Sequence, residues 1–261
     1  MPDISFIHYD NKVENLSIYR IITIERFVEM LKWKRNCFVI PALWEDPFEQ
    51  FFSKVEVRDS NGRIHLNPNI WGQCWSYSKK ETDAMWRIYA PGKNGVRIKT
   101  SVEKFVSSLI QSNEIKRLDD RVNLDNQDIN PETELESGIS VYCGRVKYKS
   151  TKDFMNPNTL RVSIENNFSL ILFLKRLEFQ HEKEFRFVLN YFNSYFLDKY
   201  IEQKFIYEFK FNELIEEIVF DPRMESDLYE VYRKFAIEQG FTGKIKQSKL
   251  YRIPQKVIRL P

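Results

Sequence analysis

Glycine is scarce in this chain, with 8 residues in 261. Loops that cradle phosphate need glycine so that the backbone can approach the anion closely, and the scarcity argues against a Gly-rich nucleotide loop. Neither G-x-x-x-x-G-K-[ST] nor a G-x-G-x-x-G following a strand occurs, and H-E-x-x-H and G-x-S-x-G are also missing. P-loop NTPases, Rossmann dehydrogenases, zincins and standard α/β-hydrolases are therefore disfavoured. Histidine and cysteine number three each: His8, His65 and His181, and Cys37, Cys74 and Cys143. They are scattered, so no zinc site and no other metal is expected. Widely spaced thiols in odd number fit a reducing, cytoplasmic setting, and a Cys74–His181 nucleophile pair has no supporting motif. The longest apolar run, Leu170 to Leu174, is far too short to span a bilayer. The opening MPDISFIHYD lacks the charged-then-apolar pattern of a signal peptide, so neither export nor membrane association is expected.

What the chain does have is apolar and aromatic mass. Hydrophobic residues make up 43% and aromatics 15%, with 21 Phe and 13 Tyr. That composition can build a substantial core, and with no repeat or linker it predicts a single domain over 1–261. The formal net charge is +3, which permits nucleic-acid contact without demanding it. Charge is unevenly spread. Residues 113–138 hold Glu114, Asp119, Asp120, Asp125, Asp128, Glu132, Glu134 and Glu136 against Lys116, Arg117 and Arg121, and read as an acidic excursion or docking surface. The next stretch, Val141 to Lys149, is basic with interleaved tyrosines; it reads either as a solvated strand face or as a nucleic-acid groove with stacking aromatics.

Periodicity predicts an α+β order. Ser17 to Ile22 is a strand, followed by an amphipathic helix through Ile24, Phe27, Val28 and Leu31 that Thr23 can cap. Cys37 to Ile40 is a strand, and Trp44 to Glu49 a loop. Gly72 to Ser78 alternates as a strand, Asp83 to Ala90 is a short helix, and Gly95 to Lys99 returns as a strand. Val102 to Ile110 is a second amphipathic helix, and Leu160 to Leu177 the longest helical candidate. Strands then follow at Lys204 to Phe211, Ile215 to Phe220 and Lys244 to Ile253, with a helix from Leu228 to Glu238. An antiparallel or mixed sheet with peripheral helices is expected.

One segment points to chemistry. In His181 to Leu189 an E-x-E pair heads an apolar strand, so that Glu182, Glu184 and Arg186 share one face and Phe185, Phe187 and Leu189 the other. Two adjacent carboxylates at a buried strand end are electrostatically expensive. Either they act on a developing cation, or Arg186, Lys183 or Arg20 neutralises them in a structural network.

Read in chain order, Arg20 on the first strand, Ser76-Tyr77-Ser78 on a middle strand and then E-x-E resemble the R-S-E pattern of ADP-ribosyltransferases. A second resemblance spans most of the chain. Tyr19-Arg20, Glu45-Asp46-Pro47-Phe48-Glu49, Cys74-Trp75-Ser76, Met85-Trp86 with Tyr89, Gly95-Val96 and Glu182-Lys183-Glu184-Phe185-Arg186 are similar to the hallmarks of a bacterial family of unknown function. That family shows N-D-P-F-E, C-F-S, M-W-x-x-Y and E-K-E-W-R; here Glu45 replaces its Asn, Trp75 its Phe and Phe185 its Trp. It occurs near phage-defence genes and is similar in strand order to ADP-ribosyltransferases, including toxins of toxin–antitoxin systems.

The resemblance implies a split antiparallel or mixed β-sheet and NAD⁺ as co-substrate. It implies that Glu184 stabilises the oxocarbenium-like cation formed when nicotinamide leaves, and that Glu182 serves the acceptor as general base. Arg20 would meet the pyrophosphate and Ser76 would hold the ribose or Glu184, with Ser78 on the same strand face. Tyr77 or Trp75 would cover the nicotinamide ring, and the Asp46 to Glu49 loop would line the site. The expected function is that of an antiphage toxin modifying nucleic acid, RNA ahead of DNA, with a protein acceptor and an antitoxin partner also open. Two alternatives stand beside it. One is a metal-dependent nuclease gathering Asp46, Glu49, Asp83, Glu182 and Glu184 around Mg²⁺; the other is a non-catalytic interaction module for nucleic acid or protein.

Overall fold

The computed structural model describes residues 3–7, 15–52, 57–58, 64–65, 70–118, 138–156, 168–192 and 203–253. Its strands are β1 (Asp3–Ile7), β2 (Ser17–Thr23), β3 (Arg35–Val39), a small antiparallel pair β4 (Val57–Arg58) and β5 (Ile64–His65), β6 (Ile70–Ser76) and β7 (Gly95–Ser101). There follow β8 (Gly138–Arg145), β9 (Lys147–Lys149), β10 (Leu174–Arg176), β11 (Glu184–Phe192), β12 (Lys204–Glu208), β13 (Glu217–Phe220) and β14 (Lys244–Gln247). The α-helices are α1 (Ile24–Trp33), α2 (Pro47–Phe52), α3 (Asp83–Tyr89), α4 (Val102–Ile110), α5 (Thr151–Phe154), α6 (Phe211–Leu214) and α7 (Ser226–Glu238).

The main sheet runs β1-β8-β11-β6-β2-β7-β13-β14, with β3 beside β6 and β12 beside β3. Pairing is parallel for β1 with β8 and for β13 with β14, and antiparallel elsewhere in this sheet. The expected α+β class with a mixed, mostly antiparallel sheet is what the chain forms. The sheet also splits. β6 meets β2 only at Ser76 opposite Tyr19, and meets β3 only at Gly72 opposite Val39. Between those two points β2 and β6 part, and the gap opens beside Arg20.

Alternation on β11 sorts the two layers as the sequence pattern predicts. Phe185, Phe187 and Leu189 face the larger core, where Phe187 stacks on Phe105 of α4 at 3.9 Å between ring centroids. The opposite face of β11 holds Val188 in a smaller apolar cluster with Ile70, Phe154 and the Ile171 to Leu174 run. The helices form where caps and periodicity agree. Thr23 Oγ1 accepts from Arg26 N, and Ser101 Oγ accepts from Lys104 N at 3.2 Å. Ile24, Phe27, Met30 and Leu31 then face the core from α1, and Lys34 closes that helix in the left-handed region at φ 52°.

Several elements differ from expectation. The Leu160 to Leu177 helix does not form in its described part: residues 168–173 make 3₁₀ turns, Leu174–Arg176 is a strand paired parallel with β9, and Leu177–Glu182 is again 3₁₀. An apolar run carries no helix-or-strand signal by itself, and the placing of Lys175 among carboxylates decides its form. Residues 157–167 lie outside the described residues. The Trp44 to Glu49 loop becomes a turn leading into α2, with Pro47 in the first helical turn and Asp46 Oδ1 accepting from Phe48 N at 3.0 Å. The middle strand begins at Ile70 and ends at Ser76, so Tyr77 and Ser78 lie beyond it. The Val141 to Lys149 stretch divides into β8 and β9, which belong to different sheets. The late strands are shorter than expected, and Phe211 starts α6. Of the acidic excursion, residues 113–118 are helical, Gly138 starts β8, and 119–137 lie outside the described residues. No helix of the described residues is long and apolar enough to cross a membrane.

Candidate active site

Arg20, Ser76, Glu182 and Glu184 line one cleft of about 510 Å³, with Tyr19 and Tyr89 on its walls. Their convergence follows from register. Glu184 opens β11 directly opposite Ser76 of β6, and Ser76 is the residue that β6 pairs with Tyr19, next to Arg20. Glu182 reaches the same side by a different route. It ends a 3₁₀ turn, and Lys183 takes the left-handed region at φ 46° and ψ 57° to bring the chain into β11. A non-glycine residue there is strained, and the surrounding bonds hold it: Ser76 Oγ donates to the Glu182 carbonyl at 2.8 Å, and Tyr77 N donates to the Lys183 carbonyl at 2.9 Å. Ser76 therefore fixes the turn between the two glutamates rather than either carboxylate. Tyr148 of β9 adds a further tether, its hydroxyl oxygen accepting from Glu184 N at 2.8 Å.

Beneath the cleft lies a buried ionic network. Lys175 Nζ sits 2.6 Å from Glu182 Oε2, 2.7 Å from Glu184 Oε1 and 3.8 Å from Glu49 Oε2. Arg186 is fully buried; its Nε donates to Glu184 Oε2 at 2.5 Å, its Nη1 to the Leu172 carbonyl at 2.6 Å, and its Nη2 pairs with Glu49. The guanidinium also lies 4.5 Å from the Trp44 ring centroid. A second pair, Arg176 with Asp46 at 3.0 Å, flanks this group, and Arg176 stacks over Phe48 at 4.1 Å. The Asp46 to Glu49 segment thus supports the site from behind and does not line the cleft. Sequence reasoning placed Arg186 in the network but missed Lys175, hidden in a run read as helix; a lysine within an otherwise apolar stretch was the available signal.

Three carboxylates (Glu49, Glu182, Glu184) face two cations (Lys175, Arg186), so the ionised group carries one negative charge in excess. Burial works against the charge on Glu184, but Arg186 and Lys175 outweigh it and hold that carboxyl down at about 2. Burial, with the hydrogen bond and charge of Glu184, pushes Glu182 up to about 8 against the pull of Lys175. Burial likewise raises Glu49, and the Tyr89 phenol is raised by burial and then by the charges of Glu182 and Glu184. Of the two carboxyls that line the cleft, Glu182 is thus pushed toward the protonated form and Glu184 is held ionised.

A stability profile follows from these shifts. Between about pH 4.5 and about pH 8 Glu182 is ionised in the unfolded chain and protonated in the folded one, so folding stability falls as pH rises through that window. Glu184 acts oppositely: its contribution is present above 4.5 and lost as pH falls from there toward 2. Thermal melts across pH should show the decline between 4.5 and 8 in the wild type and its loss in Glu182→Gln. Parallel curves for the two proteins would rule out Glu182 as the proton's site.

Arg20 stands apart from the network. Among the described residues it makes no hydrogen bond or ion pair. Burial pulls its pKa down, and the titratable groups nearest it are Cys74, Cys37, Arg26 and Tyr207. The two thiols and the phenol are themselves pushed up by burial, so none of them supplies an anion at neutral pH. The other expected cofactor contacts divide. Ser78 lines an adjoining pocket with Lys80, Arg97 and His181 that shares Tyr19, Ser76 and Met85 with the cleft. Trp75 touches the cleft wall, but its ring is buried in the core, edge-on to Phe105 at 5.5 Å, with Nε1 donating to Gln73. Tyr77 packs against the same core under the Arg145 guanidinium, outside both pockets. The aromatic rings at the cleft are Tyr19 and Tyr89 instead, because Trp75 falls on the core face of the pleat and Tyr77, past the strand's end, packs against the same core.

Two other expectations are resolved by geometry. Cys74 lines the cleft, yet its thiol is pushed up to about 12 by burial, and His181 lines only the adjoining pocket. Glu49, Glu182 and Glu184 do gather, but around Lys175 and Arg186, which take the central position a divalent cation would need. Asp83 is elsewhere, paired with Arg87 at 2.7 Å on α3. Among the described residues no group of three or more His, Cys, Asp or Glu is arranged to hold a metal.

A family described as "Protein of unknown function (DUF2971)" matches residues 85–187, less than half of the chain. The match includes Met85-Trp86 with Tyr89, Gly95-Val96 and the Glu182 to Arg186 segment, so the resemblance read from those motifs holds across that stretch. Three solved structures are similar. Thermus sp. 2.9 DarT in complex with ADP-ribosylated ssDNA is 12% identical at a TM-score of 0.39, covering 92% of this chain and 97% of that one. The same protein in complex with NAD⁺ is 10% identical, TM-score 0.37, covering 92% and 98%. In complex with carba-NAD⁺ it is 11% identical, TM-score 0.36, covering 90% and 97%. No curated protein matches the chain.

Proposed function

We propose that this chain is an NAD⁺-dependent ADP-ribosyltransferase. The observation that carries the reading is the convergence of an unpartnered Arg20, Ser76 and the Glu182/Glu184 pair on one cleft at the split of the sheet. A half-buried arginine at a cleft, lacking a carboxylate partner among the described residues, favours an anionic ligand, and its planar guanidinium suits a pyrophosphate. Glu184, held ionised, provides negative charge where the ribose becomes cationic. In the transfer, the C1′–nicotinamide bond breaks with its electron pair leaving on nicotinamide, and the acceptor's nucleophilic atom bonds to C1′. The acceptor's proton passes to Glu182, which accepts it in its ionised form.

The acceptor proposed is a nucleic acid, RNA ahead of DNA, docking through the adjoining pocket, where Ser78, Lys80 and His181 stand beside an Arg97–Glu81 pair. A cytoplasmic antiphage toxin, restrained by an antitoxin, is the setting in which such an activity fits. The nuclease alternative is weakened because Lys175 and Arg186 already occupy the space between the carboxylates.

The test is incubation of the purified chain with isotope-labelled NAD⁺ and separate RNA, DNA and protein pools. Label transfer with nicotinamide release is expected; neither, from protein free of any inhibitor, would defeat the reading. Arg20→Ala should weaken NAD⁺ binding by about ten- to a hundredfold, the worth of one charge-assisted contact, with the melting temperature nearly unchanged because Arg20 has no hydrogen-bond or ion-pair partner among the described residues. Calorimetric titration checks the affinity, and an unchanged Kd would remove Arg20 from the site.

A further inference from the structure

We infer that Lys175 is the positioning residue that divides labour between the two glutamates, bridging them so that Glu184 stays a permanent anion while Glu182 carries the exchangeable proton. This rests on the transferase reading for its chemistry, but its geometry is independent of that reading. Lys175 is buried, contacts both carboxylates at 2.6 and 2.7 Å, and approaches Glu49 at 3.8 Å. It is absent from the cleft lining, so it acts through the glutamates and not on substrate.

The asymmetry lies in what else each carboxylate meets. Glu184 receives Lys175 on Oε1 and Arg186 on Oε2, so both its oxygens are bound to cations. Glu182 receives Lys175 on Oε2 only. Every element packed around Glu182 bears on its proton. Lys175 comes from β10, Glu184 and behind it Arg186 from β11, Tyr148 from β9, Tyr89 from α3 and Glu49 from α2. Apart from Lys175, the groups nearest Glu182 are a carboxylate and two phenols. Phe179 lies 4.6 Å from the ammonium at its ring centroid and keeps that cation among the carboxylates. Among the described residues Lys175 is thus the one cation paired with Glu182, and it is shared with Glu184.

The experiment reads the proton and the activity separately. In protein labelled with ¹³C at glutamate carboxyls, the resonance missing from Glu182→Gln identifies Glu182, and its titration is followed in wild type and in Lys175→Met. Loss of the cation should raise the midpoint by one unit or more, and the pH limb of nicotinamide release should move with it, lowering the rate at pH 7 by about tenfold or more. A uniform loss of rate at every pH, with the limb and the carboxyl midpoint unmoved, would overturn the inference and leave Lys175 a purely structural group. If Lys175→Met does not fold, the wild type still decides. The Lys175 Nζ resonance should shift with the midpoint of Glu182, and an Nζ resonance indifferent to that titration would overturn the bridge. Wild-type protein that releases no nicotinamide at any pH would defeat the transferase reading while leaving the two resonance titrations to judge Lys175.

Discussion

Glu184→Gln should lower the rate of nicotinamide release by about a thousandfold or more while leaving NAD⁺ affinity within a few-fold of wild type. Gln keeps the shape and one acceptor oxygen but removes the charge, and loss of one preorganised electrostatic contact at a reacting centre typically costs about a hundred- to a thousandfold. Here the cost should reach the upper end because of the charge count behind the cleft. With Glu182 ionised, Glu49, Glu182 and Glu184 give three negative charges against Lys175 and Arg186, and the group as a whole opposes a neighbouring cation with one net negative charge. Taking the charge from Glu184 brings that sum to zero just where the ribose becomes cationic. Arg20 makes no hydrogen bond or ion pair with Glu184, so ground-state binding should survive. Single-turnover kinetics with calorimetric binding separates the two effects. A variant that releases nicotinamide within tenfold of the wild-type rate would show that the oxocarbenium is stabilised by another group.

The second large effect is on stability. Arg186→Met should destabilise the protein by about 3–5 kcal/mol, the usual result of removing one partner from a buried charge group. Both Glu49 and Glu184 would lose their guanidinium, and the Leu172 carbonyl would lose its donor. In a chain of this size each kcal/mol moves the melting temperature by roughly 2–4 °C, so a fall of about 10 °C is expected. Adding Glu49→Gln to that variant should recover part of the loss, since one stranded charge is then gone. Chemical denaturation followed by circular dichroism reads both. A single-variant loss below 1 kcal/mol would mean that water or rearrangement satisfies the carboxylates.

The network shows why the site was only partly legible beforehand. The strand from Glu184 was readable because its period of two is local: Phe185, Phe187 and Leu189 had to share a face, and Glu184 and Arg186 the other. That an ion-pair network and a place in the cleft wall would meet in one residue was not readable. The ion-pair reading and the chemical reading were weighed as rivals, yet Glu184 is salt-bridged to Lys175 and Arg186 and also lines the cleft. Lys175 escaped notice because its partners are brought in by β11 and α2, and Glu49 lies more than a hundred residues away in sequence. Trp75 and Tyr77 were placed at the cofactor on residue type alone. Strand parity puts Trp75 in the core opposite Ser76, and Tyr77, past the strand's end, packs there too.

Local chemistry in the sequence determined the caps at Thr23 and Ser101, the amphipathic faces of α1 and α4, the α+β class and the E-x-E strand. Each depends on neighbours within a few residues, and the side-chain periods of helix and strand are fixed by backbone geometry. Only the tertiary structure decided that β2 leaves β6 at Tyr19 and Ser76, which opens the cleft and leaves Arg20 without a hydrogen-bond or ion-pair partner among the described residues. It alone placed Lys175 between two glutamates and gave them unequal surroundings, with Arg186 on Glu184 only. The physical reason is range: hydrophobic periodicity acts along the chain, whereas desolvation and Coulomb energy depend on which distant segments are folded against one another.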